Sequence, residues 1–319
     1  MRINIPRVIM ALAIVVIVLL IGILIGMNIN KGGTHTEKAK PTVMSSERTW
    51  RLTDSSEEGE LIYDNYWKYV RASYIIVGDI PDCQLYKIAV GAPRNDYVRD
   101  RFYKDGDYEL MAYHDEDGHI TSKIVVDLSS FQENIDFAAL KKAGVYGVCL
   151  RTGFRGYGSG ALVEDDNFKT FYKDAKKAGL KIGVYFYSQA ISEEEAIEEA
   201  DYVLELIKGK KIELPVAFDT EGVYAEDARG DAIDTDTRTD CAVAFCERIA
   251  QKGYEPMIYS NRNWFAQNLD MSRLYHYKLW IAHYADSTDF PYVYNGWQYT
   301  DSEIIPGSET PIDASVWIE

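Results

Sequence analysis

Cysteine, histidine and positive charge are sparse in this chain, and each shortage removes a class of function. Among 319 residues there are 4 Cys and 5 His. The cysteines (Cys83, Cys149, Cys241, Cys246) show no framework spacing, and Cys241 and Cys246 stand five apart on an expected helix, off any common face. They read as buried thiols rather than disulfides. The histidines lack the short intervals that hold zinc, so neither metal nor cofactor is expected. Lys and Arg total 34 against 50 Asp and Glu, a net charge of -16. A nucleic-acid partner needs a basic footprint to meet phosphate, and none is present. Acidity of this kind reports a solvated surface and names no ligand.

Apolar and aromatic residues are plentiful. Hydrophobic residues make up 47% of the chain, and 24 Tyr and 6 Trp can build a core and still line a groove. Val8 to Met27 is apolar or Gly throughout, and the run extends to about Ile29. At ~1.5 Å per residue it can cross the ~30 Å hydrocarbon layer of a bilayer. A cleaved signal peptide would show only ~7–15 apolar residues and a small-residue cleavage site. Gly26-Met27-Asn28-Ile29 offers no such site. The expectation is therefore an uncleaved single-pass anchor at residues 8–29 in the cell membrane. Arg2 and Arg7 before it and Lys31, Lys38 and Lys40 after it leave orientation open by charge. The short leading tail (1–7) favours a cytoplasmic N-terminus and an extracellular remainder.

Residues 30–54 are polar and aperiodic, a tether. Residues 55–121 carry aromatics and strand-like pieces (Ser73–Val77, Tyr108–His114) and form a small extension with no legible role. His114 to His119 contains Asp117-Gly118, a turn signal. Residues 122–319 alternate strand and helix. Strands are expected at Ile124–Val126, Val145–Leu150, Lys181–Tyr187, Leu214–Phe218 and Met257–Ser260. Three more follow with little helix between them: Leu279–Tyr284, Trp297–Tyr299 and Ile312–Val316. Helices are expected at Asp136–Ala143, Phe168–Ala178, from Ser192 with a capping box to Glu195, and at Thr237–Lys252. The acidic residues between the apolar positions of the Ser192 helix read as a solvated face. The pattern is an α/β barrel, whose chemistry belongs at the C-terminal strand ends.

Carboxylates stand at several of those ends. Asp127 follows Val126, Asp219 and Glu221 follow Phe218, and Asp313 follows Ile312. Strand parity points Asp219 and Glu221 to one side, roughly 7 Å apart along the chain. Paired carboxyls in a desolvated site split their pKa values, giving one acid and one charged group, the equipment of glycosidic cleavage. Any one of the four alone would more often be a cap or a loop carboxylate. The Asp-rich loop 226–240 lacks the Gly and closing Glu of an EF-hand and reads as a solvated loop.

In order and spacing, the motifs of residues 122–319 resemble the family 25 glycoside hydrolases. These are Asp127-Leu128-Ser129-Ser130-Phe131-Gln132, Gly183-Val184-Tyr185-Phe186-Tyr187, Phe218-Asp219-Thr220-Glu221, Gly253 to Ser260, Leu279 to Tyr284, Trp297-Gln298-Tyr299-Thr300 and Ile312-Asp313. The resemblance implies a TIM-like (β/α)5β3 barrel that hydrolyses the β-1,4 bond between N-acetylmuramic acid and N-acetylglucosamine of peptidoglycan. It implies Glu221 as general acid and Asp219 as partner of the substrate's 2-acetamido group, with Asp127 and Asp313 completing the acidic pocket. Tyr185, Tyr187, Tyr259, Trp280, Trp297, Gln298 and Tyr299 are the implied sugar-binding positions. A chitinase-like hydrolase of N-acetylated glycans and a non-catalytic wall-binding module are the alternatives. A monomer is expected.

Overall fold

The computed structural model describes residues 42–43, 57–79 and 82–318, all within one compact unit, Thr42–Glu319. The expected leading tail, the anchor at 8–29 and all of the tether except Thr42–Val43 lie outside the described residues. Among the described residues, no helix is long and apolar enough to cross a membrane.

Before the barrel come a two-residue strand β1 (Thr42–Val43) and helix α1 (Glu57–Ser73), then four short strands. These are β2 (Tyr74–Val77), β3 (Gln84–Lys87), β4 (Phe102–Asp105) and β5 (Leu110–Tyr113). β1, β3 and β2 form one small antiparallel sheet, and β4 and β5 form a hairpin. The strand-like pieces expected in residues 55–121 do not include α1, a helix whose Trp67 and Val70 are buried one turn apart. The Asp117-Gly118 turn is present, with Gly118 at φ +83 and a bridge between His114 and Ile120 closing it.

The barrel is built from β6 (Lys123–Leu128), β7 (Val145–Arg155), β9 (Lys181–Tyr187), β10 (Val216–Asp219), β11 (Pro256–Asn261), β12 (Lys278–Ala282), β13 (Gly296–Glu303) and β14 (Ile312–Trp317); β8 (Leu162–Glu164) hangs off β7. Neighbours pair in chain order, parallel from β6 through β13, while β14 runs antiparallel to both β13 and β6 and so closes the ring. Helices α2 (Phe137–Lys142), α3 (Phe168–Lys177), α4 (Glu193–Leu206), α5 (Thr235–Ala250), and the short α6 (Arg262–Asn268) and α7 (Met271–Leu274) make the crossovers.

Local chemistry fixes these boundaries. Asp136, Ser192, Asp234, Asn261 and Asp270 each accept a backbone N–H from the first turn they precede. Ala196, Ala200, Val203 and Ile207 of the α4 stripe are all buried. One residue on that helix corrects the solvated-face reading: Glu199 is fully buried, because Arg155 at the end of β7 reaches it with Nε at 2.7 Å. Burial outweighs that attraction and pushes the Glu199 carboxyl up to about 7.

Strand alternation sends one set of side chains outward, under the helices, and the other into the barrel. Val125, Cys149, Ala217, Met257, Tyr259, Trp280 and Trp317 fill the interior as a separate apolar cluster. All four cysteines are buried free thiols. The extension packs on the outer wall, where Phe102 meets Trp297 edge to face at 5.1 Å and Tyr97 meets Tyr294 at 4.8 Å.

Candidate active site

Above the apolar plug the inward-facing residues turn polar. A cleft of about 510 Å³ opens there, lined by residues that include Asp127, Arg151, Tyr185, Tyr187, Asp219, Glu221, Tyr259, Trp280 and Asp313. Register explains the meeting. Asp313 pairs directly with Asp127 across the β14–β6 ladder, and Asp219 sits level with Tyr187 on one side and Tyr259 on the other. Because β14 runs backwards, its leading residue reaches the mouth where the parallel strands end.

The four carboxyls stand as two pairs. Asp127 stands level with Asp313 in the ladder and Asp219 stands two residues before Glu221, and within each pair the carboxyls shift one another's pKa. Burial is the largest cause raising all four above their ordinary range, with repulsion from neighbouring carboxylates adding to it; Asp313 is pushed up to about 6. Each pair therefore retains a proton at pH values where isolated carboxyls have lost theirs. Asp219 is buried, and its Oδ1 accepts no hydrogen bond from the described residues. An acceptor left bare in a cleft floor awaits a donor from outside the protein.

The surrounding side chains are tied down. Gln298 donates through Nε2 to Asp127 Oδ2 at 3.0 Å, while its Oε1 accepts from the hydroxyls of Tyr259 (2.7 Å) and Tyr284 (3.1 Å). Trp280 donates to Ser315 Oγ at 3.0 Å and meets Tyr259 edge to face at 4.5 Å. Burial first, and the nearby carboxyls second, raise the phenols of Tyr185 and Tyr259, so both remain hydroxyl donors.

Trp297 and Tyr299 do not join them. Gln298 faces inward, so its neighbours face outward by parity. Both are buried in the core that faces the helices and the extension, and Trp297 donates to His283 O at 2.8 Å. Their implied role in sugar binding gives way to packing.

The sequence reading left out other residues of the cleft. Arg151 lines it, held by Asp165 (2.8 Å) and Ser130 Oγ (2.9 Å), and lies 4.8 Å from the ring of Phe131, which is 81% exposed. An Arg inside an acidic strand-end cluster and an aromatic in a polar loop were the available signals. The Asp-rich loop has structural duties: Asp231 accepts from the amides of Val223 and Tyr224, and Asp240 pairs with Arg273. Elsewhere, Asp115, Asp117 and His119 converge at a hairpin tip, where Asp115 Oδ1 is already bonded to two backbone amides.

Two pairs of carboxyls, each with one member buried and one half-buried, at the mouth of an α/β barrel are the equipment of glycoside chemistry. The chain belongs to the glycosyl hydrolases family 25, whose sequence pattern matches residues 126–308. It is 31% identical over 197 residues to the autolytic lysozyme of Clostridium acetobutylicum, covering 61% of this chain and 55% of that protein. It thus spans little more than half the length of that relative. In structure it is similar to the modular autolysin LytC from Streptococcus pneumoniae (TM-score 0.56, 24% identity, 77% of this chain and 61% of that one). It is similar also to a family 25 glycosyl hydrolase from Bacillus anthracis (TM-score 0.53, 20% identity, 67% and 95%). At these identities the structural likenesses speak for the fold.

Proposed function

We propose that this protein is a peptidoglycan hydrolase that cleaves the β-1,4 bond between N-acetylmuramic acid and N-acetylglucosamine. The observation that supports it most is Asp219: a buried carboxyl with a bare Oδ1 beside Glu221, in a pair that burial raises above the ordinary carboxyl range so that the pair retains a proton. Glu221, half-buried and nearer the opening, gives that proton to the leaving oxygen. Asp219 receives the N–H of the 2-acetamido group and orients its carbonyl toward the anomeric carbon. Substrate assistance of this kind is a known exception to the two-carboxylate scheme. Asp127 and Asp313 keep the site acidic and bind sugar hydroxyls; Tyr185, Tyr187, Tyr259 and Trp280 offer ring faces and hydroxyls. The catalytic barrel, of (β/α)5β3 type, occupies residues 122–319 and acts as a monomer.

Glu221→Gln and Asp219→Asn are expected to keep the wild-type melting temperature or exceed it while losing roughly 10²–10⁴-fold in wall hydrolysis. Turbidity clearing of purified peptidoglycan measures this, and a Glu221→Gln protein as active as wild type would refute the assignment. Residues 8–29 serve as the bilayer anchor, on the strength of the apolar run's length, with the barrel on the wall side. Carbonate washing of membranes should leave the full chain in the pellet; release into the supernatant would contradict an anchor.

A further inference from the structure

A second depression, about 370 Å³, lies where the extension meets the loop between β12 and β13, and three arginines line it: Arg71, Arg94 and Arg99. The extension is stitched to the barrel there. Arg94 bridges to Tyr292, and the Asn95 side chain donates to the carbonyls of Phe290 (2.6 Å) and Tyr292 (3.0 Å). Arg94 spends one donor on Ala72 O at 2.6 Å. Neither Arg71 nor Arg99 forms an ion pair with a described residue. The carboxylate in the lining, Asp289, is engaged by two nitrogens of Arg262, Nε and Nη2. Positive charge thus gathers in a concavity of a chain whose net charge is -16.

This cavity shares no lining residue with the carboxyl cleft. Between them lies a depression of about 310 Å³ lined by Glu221, Asn261, Arg262, Asn263, Ala282, His283 and Tyr284. Glu221 is shared with the cleft, while the Arg262–Asp289 pair and the contact of His283 with Thr288 Oγ1 (3.0 Å) lead to the arginines. Burial first and Arg262 second lower the His283 pKa, with Asp289 opposing and Arg99 adding a smaller push in the same direction.

We propose that the arginine cavity is an anion subsite for oxyanion groups carried by the same wall polymer that the carboxyl cleft holds. The ligand chemistry is carboxylate or phosphate, both matched by the guanidinium fork. Stem-peptide carboxylates and wall-linked phosphodiesters are the two sources. The subsite rests on the peptidoglycan reading above, and it gives residues 57–121 a role, since they supply all three arginines. On a chain of net charge -16, such a local positive field steers anionic groups toward this face.

The test uses full-length protein, Arg71→Ala/Arg99→Ala and Arg99→Lys, with melting temperatures measured first. On intact peptidoglycan the double variant is expected to raise KM by roughly tenfold with kcat unchanged, and Arg99→Lys to recover part of the loss. If the difference vanishes on glycan stripped of peptide, carboxylates are the source; if it vanishes after phosphodiester removal, phosphate is. Equal KM values for wild type and double variant on intact wall would overturn the subsite. Calorimetric binding of soluble muramyl peptide and of inorganic phosphate separates this from the catalytic reading. A wild type that binds either probe but cuts no glycan sinks the hydrolase and keeps the subsite. A wild type that cuts, yet binds neither probe more tightly than the double variant, does the reverse.

Discussion

At the residue scale, burial decides how the carboxyls behave. Native Asp313 holds its proton up to about pH 6, whereas an unfolded Asp releases it near 3.8. Between those values the native state binds more protons, so stability falls as pH rises through the window. Asn cannot ionise, so Asp313→Asn is expected to be more stable than wild type by roughly 1–3 kcal/mol above pH 6 and equal to it below pH 4. Denaturant titration at pH 4 and pH 7.5 checks the pair. Asp313 also contributes to raising Glu221 by repulsion. Its removal should therefore shift the alkaline limb of kcat/KM to lower pH, read from the rate profile. An unmoved limb would mean that the two pairs do not communicate. The positions of all four carboxyls were legible, because each directly follows or opens a β-branched or apolar strand. Strand parity also gave the Asp219–Glu221 pairing; that of Asp127 with Asp313 was not legible, since it depends on β14 running antiparallel, which no local pattern announces.

At the scale of elements, alternation is the rule that sorts the aromatic residues. β13 sends Gln298 inward, buried behind the cleft against Asp127, and Trp297 and Tyr299 to the outer core, so a motif whose letters matched the family divided its residues between two jobs. Trp297→Ala should cost about 3–5 kcal/mol of stability. Trp297→Phe should cost less and leave KM for peptidoglycan unchanged; a selective rise in KM would restore a role in sugar binding. Helix α4 teaches a related lesson. Its acidic run looked uniformly solvated because helical spacing cannot reveal an Arg from another element. Arg155 meets Glu199, Glu198 and the Glu195 carbonyl at once. Arg155→Ala strands a buried carboxyl and is expected to destabilise by about 3–5 kcal/mol, seen as a lower melting temperature at pH 7 than at pH 5. The sign follows from Glu199, which binds a proton more tightly when buried than when unfolded, and more so without Arg155.

For the whole molecule, the barrel strands were recognisable as apolar runs with carboxylates at their ends, and the helices by their caps and stripes. The extension was opaque. Its strands β2 to β5 are only four residues long, and beside a small core of its own (Trp67, Val70, Cys83, Leu85) it leans on partners far along the chain. Phe102 on Trp297 and Asn95 on the Phe290 carbonyl are contacts across nearly 200 residues. The extension thus leans on the barrel wall, and places its arginines in a cavity there.

The central claim is that a muramyl bond is cut with Glu221 as the acid. Its most direct test is to digest purified peptidoglycan with the full chain, reduce the products with borohydride and identify the reduced terminal sugar by mass spectrometry. Reduced N-acetylmuramic acid is expected at every new end, and none with Glu221→Gln. Reduced N-acetylglucosamine, or intact strands after prolonged incubation with bound wild-type protein, would contradict it.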